Sequence, residues 1–188
     1  MAGAQGRLQD RRATALVAAI DLLAGGGARA LTHRAVDERA GLAPGSTSNY
    51  FRTRASLVAG VVQQLLDEDL ALLAGLGPLP AERDVAPFLV GYVELSRTRR
   101  RTAALARLAL LADPDAGELA AGRSRLLEAA TSALAGLGLA DPRATAGVLV
   151  DLVDGAIAGA VAYGHPTSAA ALGRAIDAIV TTASEEPT

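Results

Sequence analysis

Residues 31–54, LTHRAVDERAGLAPGSTSNYFRTR, gather hydrogen-bonding side chains into one window of a chain otherwise rich in alanine and leucine. These residue types suit the reading of a nucleic acid. The planar donor fork of Arg34 matches the paired acceptors of guanine. Ser46, Ser48 and Asn49 carry hydroxyls and an amide that reach base edges or phosphates, and small residues such as Pro44 and Gly45 allow close backbone approach. Tyr50 and Arg54 can both bond phosphate oxygens. Thr32 and His33 open a helix whose first N–H groups suit a phosphate. Ser, Thr and Asn beside Gly and Pro are also ordinary turn residues, so the surrounding elements must decide.

Those elements are helical. Leu8, Ala15, Leu16, Ala19, Ile20 and Leu23 fit one face of a first helix, and the glycines at 25–27 stop it. Thr32 is a helix cap for a short segment to Ala40, ended by Gly41. Pro44 suits the first turn of a third helix running to Phe51, and Thr53 caps a long fourth helix, 54–76, with Leu57, Val61, Leu65, Leu66 and Leu73 on its apolar positions. Two short helices joined by a turn containing Gly41 form a helix-turn-helix pattern, in which the second helix enters the major groove. Val36, Ala40, Leu42 and Phe51 are its expected core. Beyond a break at GLGPLP (75–80), periodicity predicts helices at 82–99, 102–112, 115–136, 142–163 and 168–183, ending in the frayed tail SEEPT. The expectation is an all-α chain of about nine helices, with a DNA-binding domain at 1–54 and a ligand-binding and dimerisation domain at 55–188.

Composition agrees. Of 188 residues 51% are hydrophobic but only 3% aromatic, so the core must be Ala, Leu and Val, which favour helix over strand. The absence of Cys excludes disulfides and thiolate metal sites. With only His33 and His165 as imidazoles, no nucleophile elbow, no zinc-protease motif and no phosphate-binding glycine loop, neither catalysis nor a metal or cofactor is expected. No uninterrupted apolar run reaches the ~18 residues of a membrane span, and the N-terminus reads as an amphipathic helix rather than a signal peptide. A cytoplasmic protein without a membrane partner is expected. Net charge is −2, unevenly spread. Residues 1–54 hold eight arginines against four acids, and the remainder holds ten against sixteen. A small part facing a polyanion, joined to a larger part with another task, fits this asymmetry.

The window resembles the DNA-binding domain of the TetR family of transcriptional regulators. The shared features are the first helix, Leu31-Thr32, the A-G-L-x-x-G run at 40–45, Tyr50-Phe51, the basic Arg54 and Leu57. The resemblance places Arg34, Pro44, Gly45, Ser46 and Asn49 at positions reading bases or backbone, and Thr32, Tyr50 and Arg54 at phosphate contacts. Arg7, Arg11 and Arg12 are weaker candidates from the N-terminal arm. Two departures stand out. Thr47-Ser48 replaces the usual Leu-Tyr, and Asp37 replaces the usual Ala. A carboxylate facing phosphates would oppose binding, so Asp37 is expected to pair with Arg34, Arg11 or Arg12.

The resemblance further implies a small-molecule pocket among helices five to eight and a homodimer through the last two. Tyr92, Glu94, Arg107, Asp151 and Asp154 are the candidate ligand anchors, with Tyr163 and His165 behind them. The basic run at 98–101 reads as a solvated turn, and Glu94 with Arg97 as an exposed ion pair. Small residues at Gly147, Gly155, Ala156, Gly159 and Ala160 favour close helix packing. Leu149, Leu152, Val153, Ala156, Ala160, Leu172, Ile176 and Ile179 are the expected dimer interface, unless they fill the core of one chain. The implied function is that of a bacterial regulator, most often a repressor, which binds double-stranded DNA as a homodimer and is released by an effector. The alternative is a helical sensor or scaffold that no longer binds DNA.

Overall fold

The computed structural model describes residues 2–75, 79 and 81–184, with side chains from residue 9 onward. Leu8 and Arg7 as side chains, most of the GLGPLP break and residues 185–188 of the tail lie outside the described residues. Nine α-helices and no strand form among the described residues: α1 (Ala2–Gly26), α2 (His33–Ala40), α3 (Ser46–Tyr50), α4 (Arg54–Gly75), α5 (Val85–Arg97), α6 (Arg101–Leu110), α7 (Glu118–Ala135), α8 (Pro142–Ala162) and α9 (Ala169–Ser184). The chain divides into two compact units. The first takes in residues up to Asp67 with Leu105–Gly122, and the second takes in Glu68–Ala104 and the chain from Arg123 onward.

In the first unit α1, α2 and α3 pack on one another. Leu16, Leu23, Leu31, Val36, Phe51, Leu57, Val58 and Val61 are buried there. Local chemistry sets the helix ends. α1 stops where Gly27 turns left-handed (φ 69°) and donates its N–H to the Leu23 carbonyl at 2.9 Å. Thr32 Oγ1 accepts the Ala35 N–H at 3.1 Å, capping α2, and Gly41 closes it at φ 64°. The left-handed backbone of Gly45 (φ 85°) precludes helix there, so α3 begins at Ser46 and the expected start at Pro44 is two residues early. Thr53 and Ser56 cap α4 reciprocally: the Ser56 N–H donates to Thr53 Oγ1 at 3.0 Å, and the Thr53 N–H donates to Ser56 Oγ at 3.1 Å.

In the second unit α5, α8 and α9 pack together. Val85, Val93, Leu149, Val153, Ala156, Ile157, Ala160, Leu172, Ile176 and Val180 are buried. Six of the eight expected interface residues, Leu149, Val153, Ala156, Ala160, Leu172 and Ile176, are therefore covered within a single chain; Leu152 and Ile179 are only partly covered. Periodicity found the apolar stripe but could not say what covers it. α8 is long and apolar enough to cross a membrane by length and composition. It nevertheless carries Asp151 and Asp154, both bonded to Arg123 of α7.

Gly60 of α4 marks a close approach. A Cβ there would stand 2.5 Å from Phe51 Cε1 and 3.2 Å from Leu16 Cδ2. Gly60→Ala gains about 1 kcal/mol of helix propensity but overpacks the site at a cost of about 1–3 kcal/mol. Both Phe51 and Leu16 are already buried, so either must shift within the core to admit the methyl. A lower midpoint in thermal unfolding is expected.

Candidate nucleic-acid interface

The candidate reading helix α3 is five residues long, far below the roughly 12 that a helix needs to persist alone. Its neighbours must hold it. Asp37 of α2 is 3% exposed and Thr47 of α3 is fully buried. One oxygen of Asp37, Oδ1, accepts the Thr47 N–H at 2.8 Å and the Thr47 hydroxyl at 2.6 Å. The other, Oδ2, accepts the Gly45 N–H at 2.7 Å. Asp37 thus caps α3 from the neighbouring helix, and the expected pairing with Arg34, Arg11 or Arg12 is not formed. The two departures from the usual pattern are partners: the buried hydroxyl of Thr47 supplies a bond that Leu could not. Burial pushes the Asp37 carboxyl upward in pKa, but the bonds from Thr47 and Gly45 outweigh it and leave it below the usual range.

The other end of α3 is held too. His33, four residues before Asp37 on α2, bonds through Nε2 to the Phe51 carbonyl at 2.6 Å. The carbonyl can only accept, so Nε2 carries the proton. The Phe51 ring lies against Gly60 and under the Arg12 guanidinium, 5.1 Å from the ring centroid. His33, expected at the DNA surface, is half-buried and engaged inside the fold.

The remaining expected contacts divide. Ser48 and Asn49 are exposed on α3, with no side-chain partner among the described residues; Pro44 and Gly45 are exposed just before it, and Tyr50 is half-buried at its end. Ser46 donates its hydroxyl to the Ala43 carbonyl at 2.6 Å, and Thr32 is occupied as a cap. Arg34 is 89% exposed and donates from Nε to Glu38 at 2.8 Å. An exposed pair of this kind is weak and can open to another acceptor. Arg11 is exposed on α1.

Arg54 is placed differently from expectation. Its guanidinium donates to Asp113 at 2.5 and 2.9 Å, to Asp115 at 2.6 Å and to the Ala28 carbonyl at 3.0 Å. The bonds to Asp113 and then Asp115 raise its pKa further, and Asp113, 2% exposed, is held below the usual carboxylate range by Arg54 against its own burial. Arg54 thus joins the start of α4 to the α1–α2 turn and the α6–α7 turn. Arg52, two residues earlier, is exposed and has no side-chain partner among the described residues. The sequence Arg-Thr-Arg gives no sign of which arginine faces water.

Within the second unit the ligand-anchor candidates Tyr92, Glu94, Asp151 and Asp154 have separate partners. Glu94 lies exposed with Arg97 at 2.6 Å, as expected for a surface pair. Asp151 and Asp154 are exposed and bridged by Arg123, which donates to Asp154 at 2.5 Å and also to Asp151. Tyr163 and His165 are exposed. Arg107 belongs to the first compact unit and the other anchors to the second. Tyr92 reaches a buried polar group, donating to Asp69 at 3.2 Å. Asp69 also receives Arg100 at 2.6 Å and is itself 1% exposed. The run at 98–101 is therefore not a solvated turn throughout: Arg100 is largely buried on Asp69 and Glu68, and Arg101 donates to the Val161 carbonyl at 2.9 Å. Asp69 and Arg100 lie 31 residues apart, and nothing in their local sequence signals the pairing. An open depression of about 380 Å³, lined by Ala81, Glu82, Arg83, Gly136 and Leu137, contains none of the expected anchors.

No family model matches this chain, and no curated protein matches it. Solved structures do. A transcriptional regulator of the TetR family from Agrobacterium tumefaciens is similar over 95% of this chain and 100% of its own, with TM-score 0.71 and 21% identity. A member of the TetR family from Streptomyces coelicolor A3, SCO1917, is similar over 90% of this chain and 97% of its own, with TM-score 0.72 and 23% identity. The multidrug binding protein EbrR complexed with malachite green is similar over the same shares, with TM-score 0.72 and 24% identity. The chain has the fold of TetR-family regulators.

Asp37 sets an acid limit on this unit. Its folded pKa lies below the unfolded value, so the unfolded chain takes up the proton first as pH falls. The stabilisation is complete above about pH 4 and is lost as pH drops through the lowered folded value. Thermal unfolding followed by helical circular dichroism should show midpoints falling below about pH 4. Asp37→Asn should flatten that fall while lowering the midpoint at pH 7. Arg54→Ala, which leaves Asp113 buried without its partner, should destabilise the protein by about 1–3 kcal/mol in the same measurement.

Proposed function

We propose that this chain, with the fold of TetR-family regulators, is a ligand-responsive transcriptional regulator that binds a palindromic operator as a homodimer. The observation that carries this reading is the set of exposed hydrogen-bonding side chains on and beside a short helix clamped by its neighbours: Arg34, Ser48, Asn49 and Arg52. In a helix-turn-helix the second helix reads base edges in the major groove. Ser48 and Asn49 are the base-reading candidates from α3, and Arg34 adds a guanine contact once it leaves Glu38. Arg52 takes the phosphate role first expected of Arg54, because Arg54 is occupied internally.

One short helix gives little specificity, and two related by a two-fold axis read an inverted repeat. The partly covered and exposed side of α8, with Val148, Leu152 and Gly155, and Tyr163 just beyond its end, is the surface we assign to a second copy. Repression relieved by an effector is the regulatory mode we assign. EbrR, of similar fold, is complexed with malachite green, which supports an aromatic or cationic organic effector here. The buried Asp69, with Tyr92 and Arg100, is the candidate polar anchor in the second unit. An effector can shift the equilibrium only by its differential affinity for two conformations. α4 is the proposed lever, since its first residue, Arg54, ties it to the α6–α7 turn. The second reading, a sensor without DNA binding, is favoured by the inward placement of His33 and Arg54.

Selection of duplexes from a random pool at about 150 mM salt, the physiological range, separates the two. Enrichment of an inverted repeat is expected, and no enrichment at any salt would leave the sensor reading. On the enriched duplex, Arg34→Ala should lose about 1–3 kcal/mol at one base pair and relax specificity there. Arg52→Ala should weaken all duplexes alike and reduce the salt dependence by about one phosphate.

A further inference from the structure

α3 is gripped at both ends by one helix. At its amino end the Asp37 carboxylate takes the Gly45 N–H, the Thr47 N–H and the Thr47 hydroxyl. At its carboxyl end the His33 Nε2–H donates to the Phe51 carbonyl. Each group matches the sign of the helix end it meets: an anion at the positive end and a donor at the negative end. His33 and Asp37 are four residues apart on α2, so they project from the same face. A tilt, slide or rotation of α3 against α2 must break one of these contacts. Apolar side chains in the places of Asp37 and Thr47 would give contact without direction, because the hydrophobic effect is non-directional. Hydrogen bonds fix both angle and register.

We infer that His33 and Asp37 are positioning residues for sequence discrimination: a two-ended polar clamp that sets the pose of α3, and so decides which base edges Ser48 and Asn49 reach, without touching DNA. This rests on the DNA-reading function proposed above. A clamp of this kind separates two quantities. Affinity for any duplex comes from arginines outside it, such as Arg52 and Arg11. Discrimination comes from where the clamp holds α3.

The test measures full-length protein on the enriched duplex and on a scrambled duplex of equal length and salt, with the thermal midpoint of each variant recorded. Asp37→Asn and His33→Ala should each narrow the affinity ratio roughly ten-fold, leaving scrambled-duplex affinity and its salt dependence unchanged. The double variant Asp37→Ala/Thr47→Val removes the carboxylate and the Thr47 hydroxyl but leaves the Gly45 and Thr47 N–H groups without that acceptor, so it should stay less stable than the wild type. Its discrimination should stay low, and His33→Ala, at the other end of α3, carries the test if neither Asp37 variant folds. A folded double variant with wild-type discrimination would overturn the clamp's role, as would folded single variants with the wild-type ratio. Wild-type protein that prefers no duplex would overturn the DNA reading and the clamp together, whereas intact wild-type preference with unaffected variants overturns the clamp alone.

Discussion

A five-residue helix cannot sustain itself, and the first compact unit is organised around that constraint. α3 owes its existence to α2 at both ends and to the Phe51 ring at its exit. The ring in turn needs the missing side chain of Gly60 and the covering guanidinium of Arg12. Burying the Asp37 carboxylate is unfavourable by itself, yet three donors satisfy it, and no unpartnered buried side-chain polar atom remains among the described residues. Polar groups buried in this way give direction, because hydrogen bonds constrain angle where apolar contact does not.

The same logic explains Arg54. A basic residue at the start of α4 has two uses, solvent-facing attraction of a polyanion or internal bracing, and one guanidinium cannot serve both at once. Here Asp113, Asp115 and the Ala28 carbonyl occupy its donors. The brace links the turn before α2 to the turn after α6, so segments far apart in sequence share one ion-pair network. Arg52 and Arg11, by contrast, are exposed.

The second unit is built by apolar burial with a few embedded charges. α5, α8 and α9 share the core, and small residues on α8, such as Ala156 and Ala160, let helices pack closely. Arg100 and Tyr92, both partly buried, meet the buried Asp69 within the second unit. Burial works to lower the pKa of Arg100, but Asp69, with Tyr92 and Glu68, more than offsets it and holds the cation charged. Asp151 and Asp154 meet Arg123 at the surface instead, where water screens the interaction and the pair contributes little.

The sequence by itself determined the helices, because their signals are local: the 3.6-residue apolar period, the Thr32 and Thr53 caps, the glycine stops at 27 and 41. It also located the polar window at 31–54 and the apolar stripes of α8 and α9. Tertiary structure alone decided the partners. Asp37 found Thr47 and not an arginine, because the α2–α3 turn brings the amino end of α3 over that carboxylate. Arg54 turned inward and Arg52 outward, though both are arginines two residues apart, because two aspartates 59 and 61 residues after Arg54 approach only that one. Leu149, Val153 and Ile176 filled one chain's core because α5 covers the stripe they share with α9. Periodicity reports that a face is apolar or a side chain polar; which atoms meet it depends on contacts between segments distant in sequence, and those exist only once the chain has folded.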